Sequence, residues 1–192
     1  MRLAFAAALG SLVVALAAAA APEPTRYRYD PVHTQVMFVA DHLGFSRPVG
    51  RFTRVDGVLA FDPDDWSTAR CEATIAVDSL WLGDAVWEKK VLSDAFLDAS
   101  RHPTMRFECE RAERIDAKRG RLFGALTIRG VTRPVELELR VNRIGRHTFS
   151  LAYVAGFSAT GTIRRSDYGI TRMLPAVGDE IEIRLEVEAI RD

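Results

Sequence analysis

The sequence predicts an all-β protein: an antiparallel eight-stranded β-barrel with a short helical excursion between strands. Three observations predict it. Apolar residues recur with period two along most of the chain, chain-reversal residues separate these runs at short intervals, and no repeated helical pattern lies between them.

The clearest run is C-terminal, where Ile181, Ile183, Leu185, Val187 and Ala189 alternate with Glu182, Arg184, Glu186 and Glu188. Successive strand residues point to opposite faces, so this is a strand with one wet side. Residues 135–141 repeat the pattern, and residues 149–157 do so with Phe149, Leu151, Tyr153, Ala155 and Phe157 on one face. Less regular strands are expected over residues 35–40, 55–61, 69–77, 104–110 and 121–128. The turns expected between strands are 62–65, 118–120, 129–132, 142–145 and 177–179, each with Gly, Pro, Asn or Asp where the chain reverses. Between Ser79 and Pro103 the alternation lapses. Ser93 ahead of Asp94-Ala95-Phe96-Leu97 reads as a helix start, with Pro103 ending the excursion. Long strands favour closure over an open sandwich, and eight strands leave an interior that is either filled by side chains or able to hold one small ligand.

Residues 1–20 have one basic residue, Arg2, an apolar run and an alanine tract, which is the pattern of a cleaved secretory signal. Cleavage is expected after Ala20, leaving residues 21–192 as one domain with no stable membrane insertion. The remaining chain has 25 basic against 26 acidic residues. That balance argues against a nucleic-acid partner, whose phosphates call for a basic surface.

Catalytic and metal motifs are missing. His33, His42, His102 and His147 have no zinc spacing, and there is no nucleophile elbow and no phosphate loop. Asp94 and Asp98 read as solvated carboxylates, and Arg165 with Asp167 as a structural pair near a turn. Cys71 shares a strand face with Ala73, Ile75 and Val77, and Cys109 shares one with Met105 and Phe107, so both point inward. A disulfide between adjacent strands and a pair of buried thiols are both open readings.

The turns and strand ends resemble the YceI-like family. The matching segments are Tyr29-Asp30-Pro31-Val32-His33-Thr34, His42-Leu43-Gly44, Val49-Gly50-Arg51-Phe52, Phe96-Leu97-Asp98-Ala99 and His102-Pro103. They continue in order through Gly124 to Val135, Arg165-Ser166-Asp167-Tyr168-Gly169 and Val177-Gly178-Asp179-Glu180. The resemblance implies a lipocalin-like barrel, a periplasmic location and the binding of a polyisoprenoid. One segment departs from it: Trp87-Glu88-Lys89-Lys90-Val91 stands where the family commonly has Arg-Asp-x-His-Leu, which puts head-group recognition in doubt.

The expected function is therefore that of a non-catalytic carrier for a long-chain isoprenoid lipid, a quinone or polyprenyl phosphate, requiring no cofactor and no metal. The tail is expected against Phe38, Phe52, Ile75, Met105, Phe107, Tyr153 and Phe157. His42, Trp81, Trp87, Lys89, Lys90 and Phe96 are expected at the mouth or head group. Two alternatives stand beside this: a filled barrel acting as a stress-linked protein-interaction domain, and an enzyme acting on a bound lipid through a mouth residue such as His33 or His42. A homodimer is left open.

Overall fold

Alternation along the sequence becomes eleven antiparallel strands in the computed structural model, which describes residues 23–192; the expected signal at 1–20 lies outside the described residues. The strands are β1 (Thr25–Tyr29), β2 (Gln35–His42), β3 (Val49–Phe52), β4 (Val55–Phe61), β5 (Arg70–Ala76) and β6 (Leu80–Trp81), followed after helix α1 (Ala85–Leu92) by β7 (Thr104–Arg114), β8 (Arg119–Ile128), β9 (Val131–Arg146), β10 (Tyr153–Arg164) and β11 (Val177–Arg191). Eight of them, in the order β1-β4-β5-β7-β8-β9-β10-β11, close into a ring because β1 pairs with β11 as well as with β4. Closure leaves no edge in that ring.

The remaining three strands, β2, β3 and β6, extend the wall from the first half of β11. β11 pairs with β2 from Val177 to Glu186 and with β1 from Ala189 to Arg191. The change of partner falls at a tight corner between β1 and β2. There Asp30 N–H donates to the Glu188 carbonyl at 2.8 Å, and the Thr34 hydroxyl donates to the same carbonyl at 3.0 Å. The short strands were not legible in the sequence: β1, β3 and β6 are two to five residues long, too short for alternation to stand out.

Several expected boundaries move. Residues 142–145 and 177–179 lie inside strands, because β9 and β11 run far longer than an average strand, their backbone groups satisfied by β10 along most of the length. Phe149 and Leu151 belong to the turn between β9 and β10 and face solvent. The helix starts earlier than expected. Asp84 caps it by accepting from Trp87 N–H at 2.8 Å, while Ser93 closes its C-terminus by donating to the Lys90 carbonyl at 2.7 Å. Residues 93–98 then form a turn instead of a helix, with Asp98 at positive φ. Asp98 is buried, contrary to the expectation of a solvated carboxylate. Its partner Arg101 donates to it at 2.7 Å and holds the carboxyl below the usual range.

The core divides along the barrel axis. At one end Tyr27, Phe61, Trp66 and Phe157 pack into a floor, with Phe61 edge-on to both Trp66 and Phe157 at centroid distances of 5.4 and 5.3 Å. Such edge-to-face pairs contribute about 1 kcal/mol each beyond their buried area.

The corner between β1 and β2 has a pH signature. His33 Nδ1 lies 2.8 Å from Asp30 Oδ2, and this hydrogen bond raises the imidazole pKa above its ordinary 6.5. A group whose folded pKa is raised stabilises the fold fully below its unfolded value and loses that contribution as pH rises through the folded value. The contact is therefore expected to tighten the corner in mildly acidic solution and to fade above neutrality. Replacing Asp30 by Asn should lower the NMR titration midpoint of His33; an unmoved midpoint would show that the carboxylate does not hold the ring.

Candidate functional site

Above the floor the barrel is hollow. A cavity of about 610 Å³ runs between the strands, within the range of small-molecule sites. Its wall is nearly all apolar, built from inward residues of the eight-stranded ring and of β2 and β3. The filled-interior alternative does not describe this barrel.

Inward aromatic rings keep the axis open by lying against glycines of neighbouring strands. The Phe107 ring covers Gly124 of β8, and the Tyr29 ring covers Gly57 of β4; a Cβ at either glycine would meet the ring at 2.6 Å and a backbone carbonyl closer still. Without that space the rings would have to turn into the cavity. Removal from bulk water pushes the Tyr29 phenol well above its ordinary pKa of 10.0, so it stays neutral and suits an apolar wall.

The wall includes Phe38, Phe52, Ile75, Met105, Phe107 and Phe157, with Phe38 and Phe52 in contact at a centroid distance of 5.7 Å. Tyr153 is not among them. It has the parity of Phe157 but lies beyond the floor, opposite Arg191, whose guanidinium sits 5.6 Å from its ring centroid. At the other end His42, Trp87, Lys90 and Phe96 line the cavity, and His42 meets Trp87 at 6.1 Å between centroids, joining the end of β2 to α1. Trp81 and Lys89 do not. On β6 it is Leu80 that turns inward, leaving Trp81 outside under the Arg51 guanidinium at 4.5 Å. On α1 the face that carries Trp87, Lys90 and Val91 covers the cavity, and Lys89 is on the solvent side. His33, considered for a catalytic role, is at the exposed corner and not in the cavity.

Arg165 was not foreseen as part of this site. Its side chain is buried, lines the cavity, and donates to four backbone carbonyls: Gly178 at 2.8 Å, Ile170 and Arg172 at 2.9 Å each, and Val177 at 2.7 Å. It thereby fixes the 170–178 loop beside the mouth. Asp167 is not its partner; the nearby carboxylate is Asp179, which accepts from Ser166 N–H at 2.9 Å and from the Ser166 hydroxyl at 2.8 Å. Burial lowers the Arg165 pKa without threatening its charge, since guanidinium starts at 12.5. The signal that could have found it is the unbroken Arg165-Ser166-Asp167-Tyr168-Gly169 turn, whose first residue has strand parity pointing inward.

Cys71 and Cys109 stand directly opposite each other on β5 and β7, buried in the wall as thiols. The facing Cys109 thiol and burial push the Cys71 thiol well up. Val77 N–H donates to the Pro103 carbonyl in the same ladder, and every second pair from there is hydrogen-bonded, so Cys71 and Cys109 form such a pair. Their Cβ atoms are then held about 5.5 Å apart, against the ~3.8 Å that a disulfide needs.

A model of the YceI-like domain matches residues 27–189. UPF0312 protein ECA1782 of Pectobacterium atrosepticum is 33% identical over 178 residues, covering 92% of each chain. Among solved structures, BcnA of Burkholderia cenocepacia superposes with a TM-score of 0.76 at 22% identity, covering 83% of this chain and 98% of that one. The YCEI protein of Campylobacter jejuni reaches 0.70 at 29% identity over 79% of this chain and 90% of its own. A polyisoprenoid binding domain from Saccharophagus degradans, implicated in plant cell wall breakdown, reaches 0.63 at 14% identity, covering 86% and 98%.

Two outcomes are expected. Gly124→Ala should lose about 1–3 kcal/mol in urea denaturation, because the ring over it must move; wild-type stability would show that the ring has room elsewhere. Incubating the folded protein with oxidised glutathione should leave both thiol hydrogens in place by intact mass, since the hydrogen-bonded ladder holds the Cβ atoms too far apart. Rapid loss of both would show that the ladder yields.

Proposed function

The chain belongs to the YceI-like family, and from that premise we propose that it is an exported, non-catalytic carrier that encloses the tail of a polyisoprenoid, a quinone or polyprenyl phosphate, in its barrel. The observation that supports this reading is the apolar cavity whose solvent-exposed lining residues, His42, Ser46, Lys90 and Met173, gather at one end. The description of the Saccharophagus degradans domain as polyisoprenoid binding points the same way at the level of shared fold.

Energetics favour a tail over a polar ligand. Burying a methylene contributes about 0.8 kcal/mol, so a five-carbon unit brings roughly 3 kcal/mol before ordering costs. Micromolar affinity needs about 8 kcal/mol. A few units against Phe38, Phe52, Phe107 and Phe157 are sufficient, without help from a charged group. The head group then lies among His42, Trp87 and Lys90, where the ammonium of Lys90 offers a point charge to a phosphate. Export through the residues 1–20 signal would place the carrier in the periplasm. No helix among the described residues is long and apolar enough to cross a membrane, which suits a carrier that moves between membranes.

Native mass spectrometry of protein released gently from the periplasm, followed by lipid extraction, tests this reading. An adduct whose extracted lipid is an isoprenoid is the expected result. A second arm narrows the cavity with Ala159→Trp, which should abolish the adduct while leaving the barrel folded by circular dichroism. Recovery of empty protein under conditions that keep lipid on a control carrier would sink the proposal.

A further inference from the structure

We propose that the cavity mouth is a membrane-docking surface that seats on anionic phospholipid bilayers to load and unload the lipid. This rests on the carrier reading above and adds the partner to it. Of the residues lining the cavity, those that are solvent-exposed are His42, Ser46, Lys90 and Met173. All four lie at one end, between the β2–β3 turn, α1 and the 170–176 loop, while the opposite end is closed by the packed floor. A tail therefore enters and leaves here, and a tail crossing open water would expose the same apolar area whose burial binds it.

The surroundings of the mouth fit a bilayer. Phe45 is 89% exposed at the tip of the β2–β3 turn, and Val86 is 79% exposed at the start of α1. Neither lines the cavity or packs into the core. The turn that presents Phe45 is rigid: Gly44 N–H donates to Asp41 Oδ1 at 2.9 Å, Phe45 N–H to the His42 carbonyl at 3.0 Å, and Leu43 N–H to the Ala176 carbonyl at 3.1 Å. That last bond ties the turn to the 170–176 loop, and the His42–Trp87 contact ties it to α1. The apolar tips thus stand around one opening on braced supports.

Charge selects the kind of membrane. Lys89, Lys90 and Arg172 are exposed beside these tips and, among the described residues, make no ion pair, whereas Arg47 in the same region is paired with Glu182 at 3.1 Å. The acidic groups of the helix start are turned to backbone: Asp84 accepts from Trp87 N–H, and Glu88 from Leu82 N–H at 2.8 Å and Gly83 N–H at 3.2 Å. Exposed apolar tips flanked by unpaired cations bind interfaces by combining shallow burial with attraction to anionic lipid.

Flotation of the purified protein with phosphatidylcholine vesicles, with and without phosphatidylglycerol, tests the inference. Partitioning should rise with phosphatidylglycerol and fall with salt. The double variant Phe45→Ser, Val86→Ser should reduce it on the order of tenfold or more while binding an isoprenoid in solution as wild type does. Phe149→Ser, at the far end of the barrel and 90% exposed, should partition as wild type. Solution binding measured separately tells a failed carrier reading from a failed docking surface. No partitioning by the wild type, or loss in the Phe149 variant with retention in the double variant, would overturn the proposal. So would a dimer abolished by the double variant without any vesicle binding, which would assign the face to a second copy.

Discussion

The hollow depends on rings laid flat against glycines. A barrel of eight strands is narrow enough for its own side chains to fill it, and this one carries Tyr29, Phe38 and Phe107 on inward positions. Each finds a neighbouring strand residue without a side chain, Gly57, Gly50 and Gly124 respectively, so the rings thicken the wall and leave the axis free. The same contact recurs at the floor, where Trp66 lies over Gly120. There the surrounding residues are fully packed, and the result is a seal.

This arrangement separates stability from access. The closed ring is joined strand to strand by hydrogen bonds around its full circumference, and its edge-to-face aromatic floor is remote from the opening. The mouth is assembled differently, from a turn, a two-turn helix and a loop, none of which belongs to the ring. Arg165 supplies what backbone pairing cannot give such a loop, four acceptors met by one rigid guanidinium. Charge-assisted bonds of this kind are about twice as strong as neutral ones, which lets a segment without secondary structure hold a defined position beside a ligand.

Polar chemistry follows the same division. In the barrel interior burial holds the Tyr29 phenol neutral, and the facing Cys109 thiol together with burial does the same for the Cys71 thiol. Charged groups gather at the mouth and on the outer faces, where Arg and Glu alternate with the apolar residues that turn inward. A long apolar molecule with one polar end is complementary to that distribution, and a compact polar metabolite is not.

Alternation alone determined the longer strands of the ring, though not the five-residue β1, because a two-residue period needs only a wet face and a dry face to be visible, and residues 181–189 or 135–141 show both. It placed Phe38, Ile75, Met105, Phe107 and Phe157 on the inner wall for the same reason. It misplaced Tyr153, since parity tells which face a residue takes and not how far along the axis it lies; the register against β11 sets that, opposite Arg191. Trp81, Lys89, Arg165 and the start of α1 were decided by tertiary structure, through short elements whose orientation comes from what they pack against. Whether the interior would be full or empty was likewise beyond the sequence, because it turns on which glycine comes to lie beneath which ring, and only strand pairing between distant segments settles that.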